Sequence, residues 1–136
     1  MNSEISILVV DDESMMRSLL KSILLREGYQ VALAEDGHQA LEMLEAGEFD
    51  LVLSDIKMPK MDGFELLKAV KSRDPHIGMI MMTGFGNSFT VKDALILGAD
   101  EYITKPFKAH EIALVVERTR WRMENRVNNL HNANNS

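Results

Sequence analysis

The sequence has no cysteine, which removes a disulfide framework, a thiolate metal site and a cysteine nucleophile from consideration. It has no apolar run long enough for a secretory leader or a membrane span. The opening stretch MNSEISILVVDD lacks a basic segment, and its apolar part ends at Val10. A cytoplasmic protein without membrane attachment is the expectation. There is no excess of positive charge either: the formal net charge is −6, which disfavours nonspecific binding to nucleic acid. What remains is 136 residues, 46% hydrophobic and 26% charged, enough for one globular domain with a sizeable core.

Short apolar runs alternate with helical patterns from end to end. The strand candidates are ISILVV, YQVALA, DLVLS, IGMIMMT and ADEYIT. Between them lie SMMRSLLKSILLREG, HQALEMLEAG, GFELLKAVKSRD and SFTVKDALILG, and a fifth helix begins near Ala109. Gly28, Gly47 and Gly98 close three of these helices, as glycines that enter the left-handed conformation cheaply would. Five strands alternating with five helices predict right-handed crossovers and an α/β fold, a parallel sheet covered on both faces. The runs ILVV and LVL are apolar throughout, as burial on both faces requires. Met79, Met81 and Met82 read as core filling. His38, His76, His110 and His131 lack ligand spacing and receive no role.

In open parallel sheets, ligands bind beyond the carboxyl ends of the strands. Here strand one ends in Asp11, Asp12 and Glu13, strand three in Asp55, strand four in Thr83 and strand five in Lys105. Two carboxylates ~4 Å apart repel by roughly 4 kcal/mol at an effective dielectric of ~20, so the group needs a cation or must bind protons. Oxygen-only ligands with open positions suit Mg2+, which keeps several waters and accepts carboxylates plus a phosphate. A phosphoryl group between Mg2+ and Lys105 would be neutralised from two sides, with Thr83 donating to one of its oxygens. An aspartate in that setting, Asp55, can act as a nucleophile and hold the group as an acyl phosphate. Taken singly, each residue has a plainer reading: Asp11 and Asp12 as dipole partners of the following helix, Thr83 as a loop residue, Lys105 as a solvated lysine. Their joint placement at four strand ends favours the site.

These residues resemble the receiver domains of two-component response regulators. VVDDE is similar to that family's acidic pair, SDIKMPKMDG to its phosphoacceptor loop, MMTG to its switch hydroxyl, and YITKPF to its switch aromatic, lysine and proline. The resemblance covers roughly Ile5 to Val116 and implies a doubly wound, flavodoxin-like or CheY-like fold with strand order 2-1-3-4-5. It implies phosphorylation of Asp55 by a sensor histidine kinase or phosphotransfer protein. It further implies Mg2+ on Asp12, Asp55 and the Lys57 carbonyl with Asp11 acting through water, Thr83 and Tyr102 as switch residues, and a cis Lys105–Pro106 bond. Lys57 and Phe85 would flank the path of the hydrolytic water. The pattern is closest to receivers that precede an ATPase and DNA-binding output region, and none is expected within these residues.

A magnesium phosphatase with an aspartyl nucleophile is the alternative, but it needs a second carboxylate where Lys57 stands. A flavin module would need a phosphate loop where DDESMM stands. Residues 1–120 are expected to form the receiver, and 121–136 a helical extension and disordered tail. In the C-terminal stretch Trp121, Met123, Val127 and Leu130 recur at near-helical spacing among Arg118, Arg120, Arg122 and Arg126. This suggests either a tail covering its own domain or a homodimer made with the face of helix four, strand five and helix five.

Overall fold

The computed structural model describes residues 2–84, 93 and 96–135, with residues 2 and 127–135 described by their backbone alone. After a 3-10 turn (Asn2–Glu4) come β1 (Ser6–Val10), α1 (Ser14–Arg26), β2 (Gln30–Ala34), α2 (Gly37–Ala46), β3 (Leu51–Asp55) and α3 (Gly63–Arg73). They are followed by β4 (Gly78–Thr83), β5 (Glu101–Thr104) and the C-terminal helix, here α4 (Ala109–Asn135). All strand pairs are parallel, in the order β2-β1-β3-β4-β5. The predicted doubly wound sheet is therefore present.

Alternation along the strands builds the two layers of the core. Leu8, Val10, Val52, Met79 and Met81 pack on one face with α2 and α3. Ile7, Val9, Leu51, Leu53, Ile80 and Met82 pack on the other with α1 and α4. The three methionines fill the core, divided between its two sides. Central strands β3 and β4 are buried along their whole length, which accounts for their unbroken apolar sequence.

Two of the helices, α2 and α3, start where a short acid caps them. Asp36 accepts from the Gln39 N–H at 2.8 Å and Asp62 from the Glu65 N–H at 2.9 Å. Gly28 (φ 93) and Gly98 (φ 100) terminate as expected in the left-handed region. Gly47 differs: it ends α2 at φ −150, extended backbone open to any residue. Most of the fourth predicted helix, SFTVKDALILG, and Phe85 before it lie outside the described residues. Asp93 and Ile96 are helical, so four α-helices rather than five are delimited among the described residues.

The C-terminal helix differs most from expectation. Its inward face carries Ile112, Val115, Val116, Thr119 and Met123, all buried. Gly78 leaves room for it: a Cβ there would stand 3.2 Å from both Met123 Cγ and Thr119 Cγ2. Met123 thus belongs to the domain's own core and not to an outward seam. The helix runs on through Asn135, so backbone expected to be disordered is helical. Its arginines are drawn onto the domain as well. Arg118 and Arg122 both pair with Glu101, and Arg126 reaches Asp100 Oδ1 at 3.4 Å. Asp100 also takes Lys71 Nζ at 2.6 Å and the Met79 N–H at 2.8 Å, tying α3, β4 and α4 together at the amino ends of the strands.

Candidate functional site

At the opposite edge the carboxyl ends of β1, β3, β4 and β5 converge. Asp11, Asp12 and Asp55 each bring a carboxylate oxygen within 4.8 Å of the others, with Asp11 and Asp55 buried and Asp12 exposed. Lys105 Nζ lies 3.2 Å from Asp55 Oδ2 and 3.5 Å from Asp11 Oδ2. The ammonium thus bridges two acids that are 50 and 94 residues away in sequence. A cleft of about 550 Å³ opens over them, lined by Asp12, Glu13, Asp55, Lys57, Met58, Pro59, Gly84 and Lys105.

Local structure explains the convergence. Asp55 is the last residue of β3, one position beyond the predicted strand, so its side chain is fixed by the sheet. The loop after it returns tightly, with the Gly63 N–H donating to the Ile56 carbonyl at 2.7 Å. Lys105 is aimed by β4: its N–H donates to the Thr83 carbonyl at 2.7 Å, and the Lys105–Pro106 peptide is cis, as the resemblance implied. Asp11 holds its own loop, since its Oδ1 accepts the Glu13 N–H at 2.9 Å.

The electrostatics are unbalanced. Burial pushes the Asp11 carboxyl above its ordinary value, against the opposing pull of the Glu13 N–H and Lys105. Burial also raises Asp55, although Lys105 and the Lys57 N–H favour its charged form. Ion pairing alone would lower both acids; desolvation outweighs it. Burial disfavours the Lys105 charge, yet the attraction of Asp55 and then Asp11 holds it above the usual lysine value. One ammonium does not offset three carboxylates.

Thr83 is buried at the end of β4, its hydroxyl 3.4 Å from the Gly84 carbonyl. Tyr102 stands elsewhere, half-buried on edge strand β5, in a groove shared with Pro106, Glu111 and Leu114. It pairs in register with Met81, so Tyr102 and Thr83 lie two residues apart on one face of neighbouring strands. Two residues to which the sequence assigned no role also belong here. Glu13 lines the cleft, and the Arg17 guanidinium donates to the Asp11 carbonyl at 2.7 Å. The only sequence signal for Arg17 is a cation one helical turn beyond three consecutive acids.

With this geometry in place, comparison with known proteins is decisive. The family model described as "Response regulator receiver domain" matches residues 7–117. The chain belongs to the response regulator receiver family. Chemotaxis protein CheY of Bacillus subtilis is 41% identical over 114 residues, covering 83% of this chain and 95% of CheY. Transcriptional regulatory protein ZraR of Escherichia coli K12 is 39% identical over 117 residues, covering 86% of this chain and 26% of ZraR. Against the ZraR relatives, then, the receiver spans about a quarter of their length. Among solved structures, a receiver domain from Clostridium thermocellum superposes with TM-score 0.82 at 31% identity, covering 88% of this chain and 97% of its own. NtrX from Brucella abortus, solved in complex with ADP, gives TM-score 0.86 at 36% identity, covering 90% of this receiver and 28% of NtrX.

Proposed function

We propose that this receiver accepts a phosphoryl group on Asp55 from the phosphohistidine of a sensor histidine kinase or phosphotransfer protein. The carrying observation is the position of Lys105 Nζ, 3.2 Å from Asp55 Oδ2 at the mouth of an acidic cleft. An Asp55 carboxylate oxygen attacks phosphorus, the P–N bond to the donor imidazole breaks, and the imidazole leaves with its electron pair and takes a proton. An acyl phosphate remains on Asp55. Lys105 is placed to neutralise charge on the incoming oxygens, and the Thr83 hydroxyl, at the end of the neighbouring strand β4, would turn toward one of them.

The donor set suits Mg2+: three carboxylates within 4.8 Å, all-oxygen, and under-compensated by one lysine. Asp12, Asp55 and the Lys57 carbonyl would hold the ion, with Asp11 acting through water. When bound, Mg2+ supplies charge neutralisation for a phosphoryl group. Inward movement of Thr83 opens space for the half-buried Tyr102 to turn to a buried position, changing the face of β5 and α4 that meets partners. That face is also where a second copy is proposed to dock. The receiver, taken as 1–120, works in the cytoplasm without binding nucleic acid itself; no helix among the described residues is long and apolar enough to cross a membrane. The phosphatase reading finds no support, because Lys57 lines the cleft where a second acid would be needed.

Acetyl phosphate with MgCl2 tests the proposal. Intact-mass measurement should show one added phosphoryl group on the wild type and none on Asp55→Asn. Equal labelling of both proteins overturns the assignment of Asp55.

A further inference from the structure

We infer that Arg17 is a positioning residue for the phosphoryl-transfer site, acting through the backbone of Asp11; this rests on the function proposed above. Only Asp11, Asp12 and Glu13 separate β1 from α1, and this loop must aim two carboxylates at Asp55 and Lys105. Asp11 is fully buried, and each of its polar atoms has a partner. Its N–H donates to the Ala34 carbonyl at 3.2 Å, its Oδ1 accepts from Glu13 at 2.9 Å, and its Oδ2 faces Lys105 at 3.5 Å. Its carbonyl accepts from Arg17 Nη1 at 2.7 Å, the shortest of the four.

The direction of Asp12 follows from that carbonyl. The peptide joining Asp11 to Asp12 carries it, and Asp12 is the exposed member of the carboxylate trio. Arg17 is itself anchored in the first turn of α1, its N–H donating to the Glu13 carbonyl at 3.1 Å. The guanidinium therefore clamps the loop from the helix side, while Ala34 clamps it from β2. A guanidinium suits this role because it keeps its charge at every relevant pH and its donors project in a fixed fork. The guanidinium acts from outside the cleft, whose lining does not include Arg17.

The clamp sets how readily the loop presents oxygens to a cation; it does not touch the reacting group. Its removal should therefore show in the Mg2+ dependence of the reaction and not in its plateau. Calorimetric titration of the metal-free chain with MgCl2 reads the first quantity directly. Arg17→Met keeps the apolar stem and removes the donors, and should weaken Mg2+ binding by about tenfold, the lower range for losing a supporting hydrogen bond. Labelling by acetyl phosphate should need correspondingly more MgCl2 yet approach the wild-type rate at saturation. Arg17→Lys, which restores one donor, should recover a large part of the affinity. A folded Arg17→Met protein with the wild-type Mg2+ constant overturns the inference. So does a lowered plateau with an unchanged constant. Should Arg17→Met not fold, the Lys variant decides, since a wild-type constant joined to a lowered melting temperature marks a merely structural residue. Wild-type protein that binds no Mg2+ and takes no label refutes the phosphoryl reading itself, a result distinct from either of these.

Discussion

Gly63 lies so close to Asp55 that a side chain on it would press into the Asp55 carbonyl oxygen. The same Cβ would stand 2.7 Å from Ile56 Cα and 2.8 Å from Met81 Cε. Two of these neighbours are backbone, and both belong to the segment that carries the phosphoacceptor. Gly63→Ala should therefore cost about 2–3 kcal/mol, as overpacking at a rigid contact does. It should also slow labelling of Asp55 by shifting its backbone. Urea unfolding and acetyl phosphate labelling measure the two effects, and a variant within 0.5 kcal/mol of wild type would show that the loop yields freely.

Charge imbalance in the cleft makes a second prediction. Burial raises the Asp55 carboxyl, so the folded protein holds its proton more tightly than the unfolded chain does. The ionised group then opposes folding at neutral pH, and this opposition fades as pH falls toward the carboxylate range. Asp55→Asn should accordingly be more stable than wild type in metal-free buffer at pH 7, with the gap narrowing on acidification. Mg2+ should stabilise wild type more than Asp55→Asn, which lacks one ligand charge. Melting temperatures across pH, with EDTA or MgCl2, read all of these signs. A metal-free Asp55→Asn protein less stable than wild type at pH 7 contradicts the balance described here.

The sheet and the acid cluster were legible in the sequence for one physical reason. Parallel strands joined by helices must all end at the same edge, so residues after the apolar runs meet wherever they stand in the chain. Asp11, Asp55 and Lys105 needed nothing further. Arg17 was hidden because its partner is a backbone carbonyl, whose direction depends on a loop conformation that composition does not encode. Gly47 misled because the presence of glycine permits a left-handed cap without requiring one. Trp121 and Met123 were grouped by near-helical spacing, yet residues two apart stand about 200° apart around a helix.

Lys60 gives a third prediction. It adopts φ 70, and the Met61 N–H donates across it to the Pro59 carbonyl at 2.8 Å. This is a γ-turn with a left-handed centre, an uncommon conformation for a residue with a Cβ. Glycine would relieve roughly 1–2 kcal/mol of strain and return part of that as unfolded-chain entropy, so Lys60→Gly should stabilise by roughly 0.5–1 kcal/mol. Lys60 is exposed. A loss of stability in chemical denaturation would show that its side chain contributes more than the turn costs.

The last prediction separates the two sides of α4. Met123 is 6% exposed and packs against the Gly78 end of β4, whereas Trp121 is 65% exposed and shares the outer surface with Leu114, one heptad earlier. Met123→Ala should destabilise the domain by about 2–3 kcal/mol, because it empties a buried site. Trp121→Ala should change monomer stability by less than about 0.5 kcal/mol, as surface substitutions usually do. If a second copy docks on this face in the phosphorylated state, the variants must exchange places in a different measurement. Sedimentation with a beryllofluoride mimic should show wild type and Met123→Ala shifting toward dimer, and Trp121→Ala shifting less. Protein that stays monomeric with the mimic well above micromolar concentration removes the dimer and leaves Trp121 as a contact for another protein.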